Sequence, residues 1–87
     1  MTDTHHLYKI KAPVTFVGQT LQTIDIEENF GVRLVGIKRP KTERNLIGLK
    51  QTQYSVIDKI TGDLRVEEGD LLILFGKMEV LHRLADI

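Results

Sequence analysis

The pattern of apolar and polar residues predicts strands in three parts of the chain. Residues 7–16 alternate in the manner of a half-buried strand, and Pro13 limits this strand because proline cannot donate to a ladder. Residues 32–38 are apolar and β-rich, which favours a central strand. Residues 71–75 form a continuous apolar run of strand length, as expected for a buried strand.

Two short helices are predicted between the first two strands. Leu21 and Ile24 recur at near-helical spacing, which indicates a first amphipathic turn. Asp25 and Glu28 match the capping-box pattern, in which each side chain accepts from a free backbone N–H, so a second helix is predicted to start there. This helix is predicted to end at Gly31, which tolerates the left-handed conformation. Phe30, the residue before this glycine, is expected to face the core.

A hairpin and a terminal helix complete the predicted elements. Residues 53–60 and 64–66 fit a hairpin or an edge-strand pair, with turn residues at 61–63 between them. Residues 67–70 form a second turn before the last strand, and residues 77–87 carry the apolar spacing of an amphipathic helix. The chain has no room for repeated long crossovers, so this order predicts a compact α+β domain with a mixed sheet.

Composition bounds the kind of protein this is. With 87 residues the chain forms one domain, for which we expect a disordered linker at residues 1–6 and a folded domain at residues 7–87. A core this small favours dimerisation. The absence of Cys excludes a disulfide framework and a thiol nucleophile, and favours the cytoplasm. The longest apolar run is far too short to cross a bilayer, so no direct membrane insertion is expected.

The charged residues are balanced overall but clustered locally. The chain has twelve Lys and Arg and twelve Asp and Glu, and this balance argues against a nucleic-acid partner. Residues 38–50 hold five cations and one acid, which we interpret either as solvated loop charges or as an anion site. An acidic concentration comprises Asp63, Glu67, Glu68 and Asp70, which fits solvated surface or, as an alternative, a divalent-cation site. No nucleophile with a base, metal set or phosphate loop is evident, so neither an enzyme nor a cofactor or metal is predicted.

Two ordered blocks of residues resemble a known family, the C-terminal regulatory domain of potassium-conductance regulators, called RCK-C or TrkA-C. The first block comprises Phe16-Val17-Gly18-Gln19-Thr20-Leu21, Ile24-Asp25-Ile26, Phe30-Gly31-Val32 and Val35-Gly36-Ile37-Lys38-Arg39. The second comprises Val66-Glu67-Glu68-Gly69-Asp70 with Leu72, Leu74 and Gly76. The resemblance covers residues 7–87. It departs from the family at residues 41–63, which are longer than the usual loop and lack its Pro-containing segment.

The resemblance implies a ligand-sensing regulatory domain of a potassium or other cation channel or transporter. Such domains commonly form homodimers, and some bind cyclic di-AMP between the two copies. It also implies a cytoplasmic location at the inner face of the cell membrane, through the transporter. The candidate ligand-binding residues are Ile37, Arg39, Pro40 and Asn45, which offer apolar surface for adenine and a guanidinium for phosphate. We expect Arg39→Ala to weaken the binding of a cyclic dinucleotide without unfolding the domain. The alternatives are an assembly module without its own ligand and a divalent-cation sensor.

Overall fold

The computed structural model describes residues 4–87 of the chain. In chain order the elements are β1 (His5–Lys11), a 3-10 helix (Val14–Phe16), α1 (Leu21–Ile24), α2 (Ile26–Phe30), β2 (Arg33–Arg44), β3 (Lys50–Val56), β4 (Leu71–Lys77) and α3 (Met78–Asp86). The strands form one sheet in the order β1-β4-β2-β3. The predicted α+β class is confirmed, although the sheet expected to be mixed is antiparallel in every described pairing.

The register of β1 against β4 gives the sheet two different faces. His5 pairs with Lys77 and Lys11 with Leu71, so directly opposed residues share a face. Ile10 and its partner Leu72 are buried against the helices, and the alternate positions point away from them. β1 begins two residues before the domain boundary predicted at residue 7, and residues 1–3 of the predicted linker lie outside the described residues.

β2 is longer than the sequence indicated. Its first half pairs with β4 and its second half pairs with β3, in register from Lys38 opposite Val56 to Arg44 opposite Lys50. The basic segment at residues 38–50, for which loop charges were one interpretation, is therefore strand as far as Arg44. Because β4 ends its pairing at Lys38, residues 39–56 project as a two-stranded ribbon, which we call the hairpin arm.

The two short helices form as predicted, with a different cap. Thr20 caps α1, since the backbone N–H of Thr23 donates to its Oγ1 at 3.2 Å. Asp25 has φ 46° and makes no side-chain cap bond, so the predicted capping box is wrong. Gly31 ends α2 at φ 72°, as predicted. Phe30 packs on the core with its ring centroid 5.8 Å from that of Phe16, which confirms the expected core position.

Residues 64–66 do not form the predicted hairpin with residues 53–60. They lie beside the loop before α1, where Gly18 N donates to Val66 O at 2.8 Å and Val66 N donates to Gln19 O at 2.9 Å. β3 takes β2 as its partner instead. The alternation at 64–66 was read correctly as extended backbone, but its partner lies more than forty residues earlier in the chain.

The hydrophobic core lies between one face of the sheet and the helices. α3 places Leu81 and Leu84 against β1 and β4, and both side chains are fully buried. The buried apolar residues are Ile10, Ala12, Phe16, Ile24, Ile26, Val32, Ile37, Val66, Leu72, Leu74, Leu81 and Leu84. None of them comes from the hairpin arm or from residues 57–65.

Gly76 is the position where β4 and residue 32 approach most closely. A Cβ at Gly76 would lie 2.5 Å from Val32 Cγ1 and 3.0 Å from Val32 Cβ. We expect Gly76→Ala to lower the free energy of unfolding by about 1–3 kcal/mol, because valine has little freedom to move aside. Urea denaturation measures this change. Gly36→Ala in the neighbouring strand is the control, since its Cβ would meet Ile73 Cδ1 at an ordinary 3.6 Å; equal losses in both variants would contradict the explanation.

Candidate functional site

The face of the sheet opposite the helices is open and partly apolar. Leu7 and Phe75 lie directly opposite one another on this face, and both are exposed. Tyr54 and Val56 continue the exposed apolar surface onto β3. α2 and α3 pack against the other face, through the core residues. An exposed apolar sheet face of this kind commonly marks an interaction surface.

The open face also concentrates positive charge. Strand register places seven of the twelve Lys and Arg there, namely Lys9, Lys11, Arg33, Lys38, Arg44, Lys50 and Lys77. Among the residues of the four described strands Glu43 is the one acid, and it lies on the opposite face because it alternates with Thr42 and Arg44. A chain of zero net charge therefore has a strongly cationic face, which favours anionic ligands.

A cleft of about 220 Å³ lies within this face. Lys9 and Lys38 border it, and Leu7 and Ile73 contribute apolar surface. Gly36 is buried beside Ile73 in the register, and a Cβ at this position would lie 3.6 Å from Ile73 Cδ1. In the next row Lys11 and Lys38 flank Leu71, which sets their Cα atoms about 10 Å apart. Ammonium groups around an apolar floor fit a ligand that carries both phosphate and a planar base.

Arg39, a predicted phosphate ligand, is held by carboxylates of its own chain. Its Nε and Nη2 donate to Oδ1 and Oδ2 of Asp70, each at 3.0 Å. Its Nη1 lies 2.9 Å from Glu67 Oε2, and Nη2 also donates to the backbone oxygen of Arg65. The pKa of Arg39 is raised above its ordinary value, chiefly by the hydrogen bonds to Asp70, while burial acts in the opposite direction. This guanidinium anchors the turn before β4 to β2.

The other predicted ligand residues occupy different surroundings. Ile37 is fully buried in the core, whereas Pro40 is half-buried and shares a cleft of about 280 Å³ with Arg39. Asn45 lies at the end of the hairpin arm, about 20 Å along the strand from Arg39. There its Oδ1 accepts from the backbone N–H groups of two turn residues. Within one copy the structure thus brings together Arg39 and Pro40, and it does not bring Ile37 or Asn45 to them.

The acidic residues near the second turn have structural partners. Asp70 is fully buried and accepts from Arg39 and from the backbone N–H of Glu67. Thr61 Oγ1 donates to Asp63. Across residues 4–87 the structure brings no three His, Asp or Glu side chains together as possible metal ligands. The divalent-cation alternative therefore gains no support from the geometry.

Comparison with known proteins places the chain in a family. The family model of the TrkA-C domain matches residues 5–87. The chain belongs to the TrkA-C domain family. The RCK C domain of the potassium transport protein KtrA, solved in complex with cyclic di-AMP, is similar to this TrkA-C domain with a TM-score of 0.68 and 26% sequence identity. The alignment covers 94% of this chain and 81% of that chain. A search of curated proteins found no significant match.

Both comparisons confirm the resemblance found in the sequence and support a regulatory domain of potassium transport. Sequence reasoning gave Lys9 and Lys11 of the open face no role in this TrkA-C domain, and it considered Lys38 only as part of the basic segment at residues 38–50. The available signal was alternation, because neighbours in a strand point to opposite faces and Lys38 must then face away from Ile37 and Arg39. In the described part of the TrkA-C domain, no helix has the length and apolar character needed to cross a membrane.

Proposed function

We propose that this TrkA-C domain is a non-catalytic sensor that regulates a potassium or other cation channel or transporter from the cytoplasmic side of the membrane. In this proposal it works as a homodimer, with cyclic di-AMP held between the open sheet faces of two copies. The observation that carries the proposal is the open face itself, which is cationic and apolar at once. The bound ligand of the similar KtrA RCK C domain adds support for the nucleotide class.

The charge of the open face explains why a ligand would lie between two copies. Two cationic faces repel each other when they meet without an anion. A cyclic dinucleotide supplies two phosphates to neutralise lysines from both copies, and its two bases cover apolar surface such as Leu7 and Ile73. Its two-fold symmetry matches that of a dimer built from one repeated patch. The candidate residues for binding phosphate are accordingly Lys9, Lys11 and Lys38. Pro40 and Ile73 are the candidate apolar residues on the same face.

Regulation follows when the ligand favours one arrangement of the two copies. A ligand held by both copies shifts the channel or transporter only by its difference in affinity between the two gating states. The rigid connection from β2 to β4 through Arg39 and Asp70 keeps each copy's open face in a fixed shape. Ligand binding then changes the relative orientation of the copies rather than the fold of either one.

An assembly module without its own ligand is the second candidate function. The observation that favours it is the exposed apolar surface around Leu7, Phe75, Tyr54 and Val56, which a second copy would cover. In this case the dimer forms without any nucleotide, and it transmits changes sensed by another part of the protein. The two candidates differ in whether an anion is needed for the faces to meet.

We expect cyclic di-AMP to raise the melting temperature of the domain and to convert monomer into dimer. The physical reason is that a ligand bound only by the folded dimer stabilises it in proportion to the logarithm of its concentration. Thermal melting and light scattering, each with and without ligand, measure the two effects. AMP and ATP serve as comparison ligands with the same base, and calcium tests the acidic residues.

The outcomes separate the candidate functions. A saturable melting shift with cyclic di-AMP, greater than the shift with AMP, supports the sensor. A stable dimer whose melting temperature is unchanged by every nucleotide favours the assembly module. A monomer under all conditions contradicts both.

A further inference from the structure

The end of the hairpin arm exposes a compact apolar tip. Leu46 is 106% exposed, Ile47 78% and Leu49 60%, and all three belong to the turn between β2 and β3. The molecule measures 51 Å along its longest axis, to which the projecting arm contributes. The tip lies outside the hydrophobic core cluster, so these three side chains remain largely exposed in a single copy. A cluster of exposed apolar side chains commonly marks an interaction surface.

The backbone of the tip is arranged to enter an apolar medium at low cost. Asn45 Oδ1 accepts from the N–H groups of Ile47 and Leu49, at 3.1 Å and 3.0 Å. Gly48 N donates to the backbone oxygen of Asn45, and Asn45 N donates to that of Leu49. The turn therefore satisfies four backbone donors internally, which removes much of the penalty for leaving water. It also holds the three aliphatic side chains outward without further ordering.

Positive charge surrounds the tip. Arg44 and Lys50 stand directly opposite one another where the strands meet the turn, and Arg44 Nη1 also donates to the backbone oxygen of Gly48 at 2.9 Å. Like charges at opposed positions repel each other, and a nearby anion would relieve this repulsion. Lys41 adds a third cation. Its Nζ lies 3.5 Å from Oε1 of Glu43, which is the one acid of the hairpin arm. Amphipathic helices that bind anionic membranes combine an apolar surface with neighbouring Lys and Arg, and this tip shares that combination.

We propose that the tip of the hairpin arm inserts shallowly into an anionic phospholipid surface, with Leu46, Ile47 and Leu49 in the interfacial layer and Arg44 and Lys50 among the headgroups. The contact needs no membrane-spanning helix, and it revises the expectation of no direct membrane insertion, which rested on the length of the longest apolar run. It goes beyond the proposed regulatory function, because it gives the domain a lipid contact of its own beside the transporter.

Sedimentation with lipid vesicles tests the proposal on the full chain. We expect the chain to bind vesicles that contain phosphatidylglycerol and to bind pure phosphatidylcholine vesicles weakly, with binding that falls as salt rises. The double variant Leu46→Ser with Ile47→Ser removes apolar surface that the bilayer would cover, so its apparent affinity should fall at least about tenfold. The matched control is Val14→Ser, since Val14 is 84% exposed but lies far from the arm in the chain.

Three results would overturn the proposal. The first is vesicle binding by the double variant that equals that of the unmodified chain. The second is an equal loss in the Val14→Ser control. The third is a fall in oligomer mass, measured by light scattering without lipid, when the tip is changed, since this would make the tip a contact between copies. Because none of these measurements uses a nucleotide, failure here leaves the test of the proposed sensor intact.

Discussion

Replacing Arg39 by methionine should lower the free energy of unfolding by about 3 kcal/mol. The substitution leaves Asp70 fully buried without its guanidinium partner, and a buried carboxylate that loses its counter-ion is strongly destabilising. Part of Arg39 remains exposed, which keeps the expected loss at the lower end for buried ion pairs. Urea denaturation followed by circular dichroism measures the change.

Two further variants make this expectation specific. Lys41→Met removes a neighbouring exposed cation whose contact is a surface ion pair with Glu43, and it should change stability by less than about 0.5 kcal/mol. Combining Arg39→Met with Asp70→Leu removes both charges, and it should recover much of the lost stability. An Arg39→Met domain as stable as the unmodified one would show that Asp70 tolerates the loss of its partner.

The same pair revises an expectation drawn from the sequence. Arg39→Ala was expected to weaken ligand binding without unfolding the domain, but the contacts with Asp70 and Glu67 predict a loss of stability as well. Any loss of affinity in an Arg39 variant would then include the effect of a displaced turn at residues 67–70. Whether Arg39 also contacts a ligand stays a prediction, and the open-face lysines offer a cleaner test.

Lys38→Glu should weaken cyclic di-AMP binding by about 100-fold or more. The variant replaces the proposed charge-assisted bond to phosphate with a repulsive carboxylate, and in the proposed symmetric dimer the change occurs twice. Lys38 borders the cleft but makes no ion pair in the described structure, so its substitution should leave stability close to that of the unmodified domain. Isothermal titration calorimetry measures the affinity, and thermal melting checks the fold.

Lys59→Glu is the matched control for this experiment. It makes the same change of charge at an exposed lysine outside the sheet, in the connection after β3. If both variants lose affinity equally, the ligand responds to net charge and the open face holds no defined site. If neither loses affinity, the ligand binds elsewhere.

Local patterning accounts for much of what could be predicted. The glycine at position 31 ends α2 because its left-handed conformation is a property of the residue itself. Periodicity also located α3 and the strand at 71–75, since the spacing of apolar residues fixes which side of an element is buried. The family was recognised from short motifs that the family model then confirmed over residues 5–87.

The failures share a different cause. Asp25 and Glu28 have the right spacing for a capping box, yet the backbone of Asp25 turns left-handed where α1 meets α2, and the cap falls to Thr20 instead. Residues 64–66 are extended, but they lie against the loop before α1 rather than against residues 53–60. At residues 64–66 the local pattern was right about the backbone and gave no information about the partner, whereas at Asp25 the junction of α1 and α2 set a backbone conformation that the pattern did not predict.

The sequence by itself determined the α+β class, the positions of the main elements and the family of this protein, because these depend on periodicity, turn chemistry and motif order within short windows. Only the tertiary structure decided that Arg39 pairs with Asp70, 31 residues away. It also decided that Lys11 of β1 and Lys38 of β2 flank the same residue of β4. The physical reason is register. Pairing between distant strands sets which charges become neighbours, and a one-residue change in register would move every side chain of a strand to the opposite face.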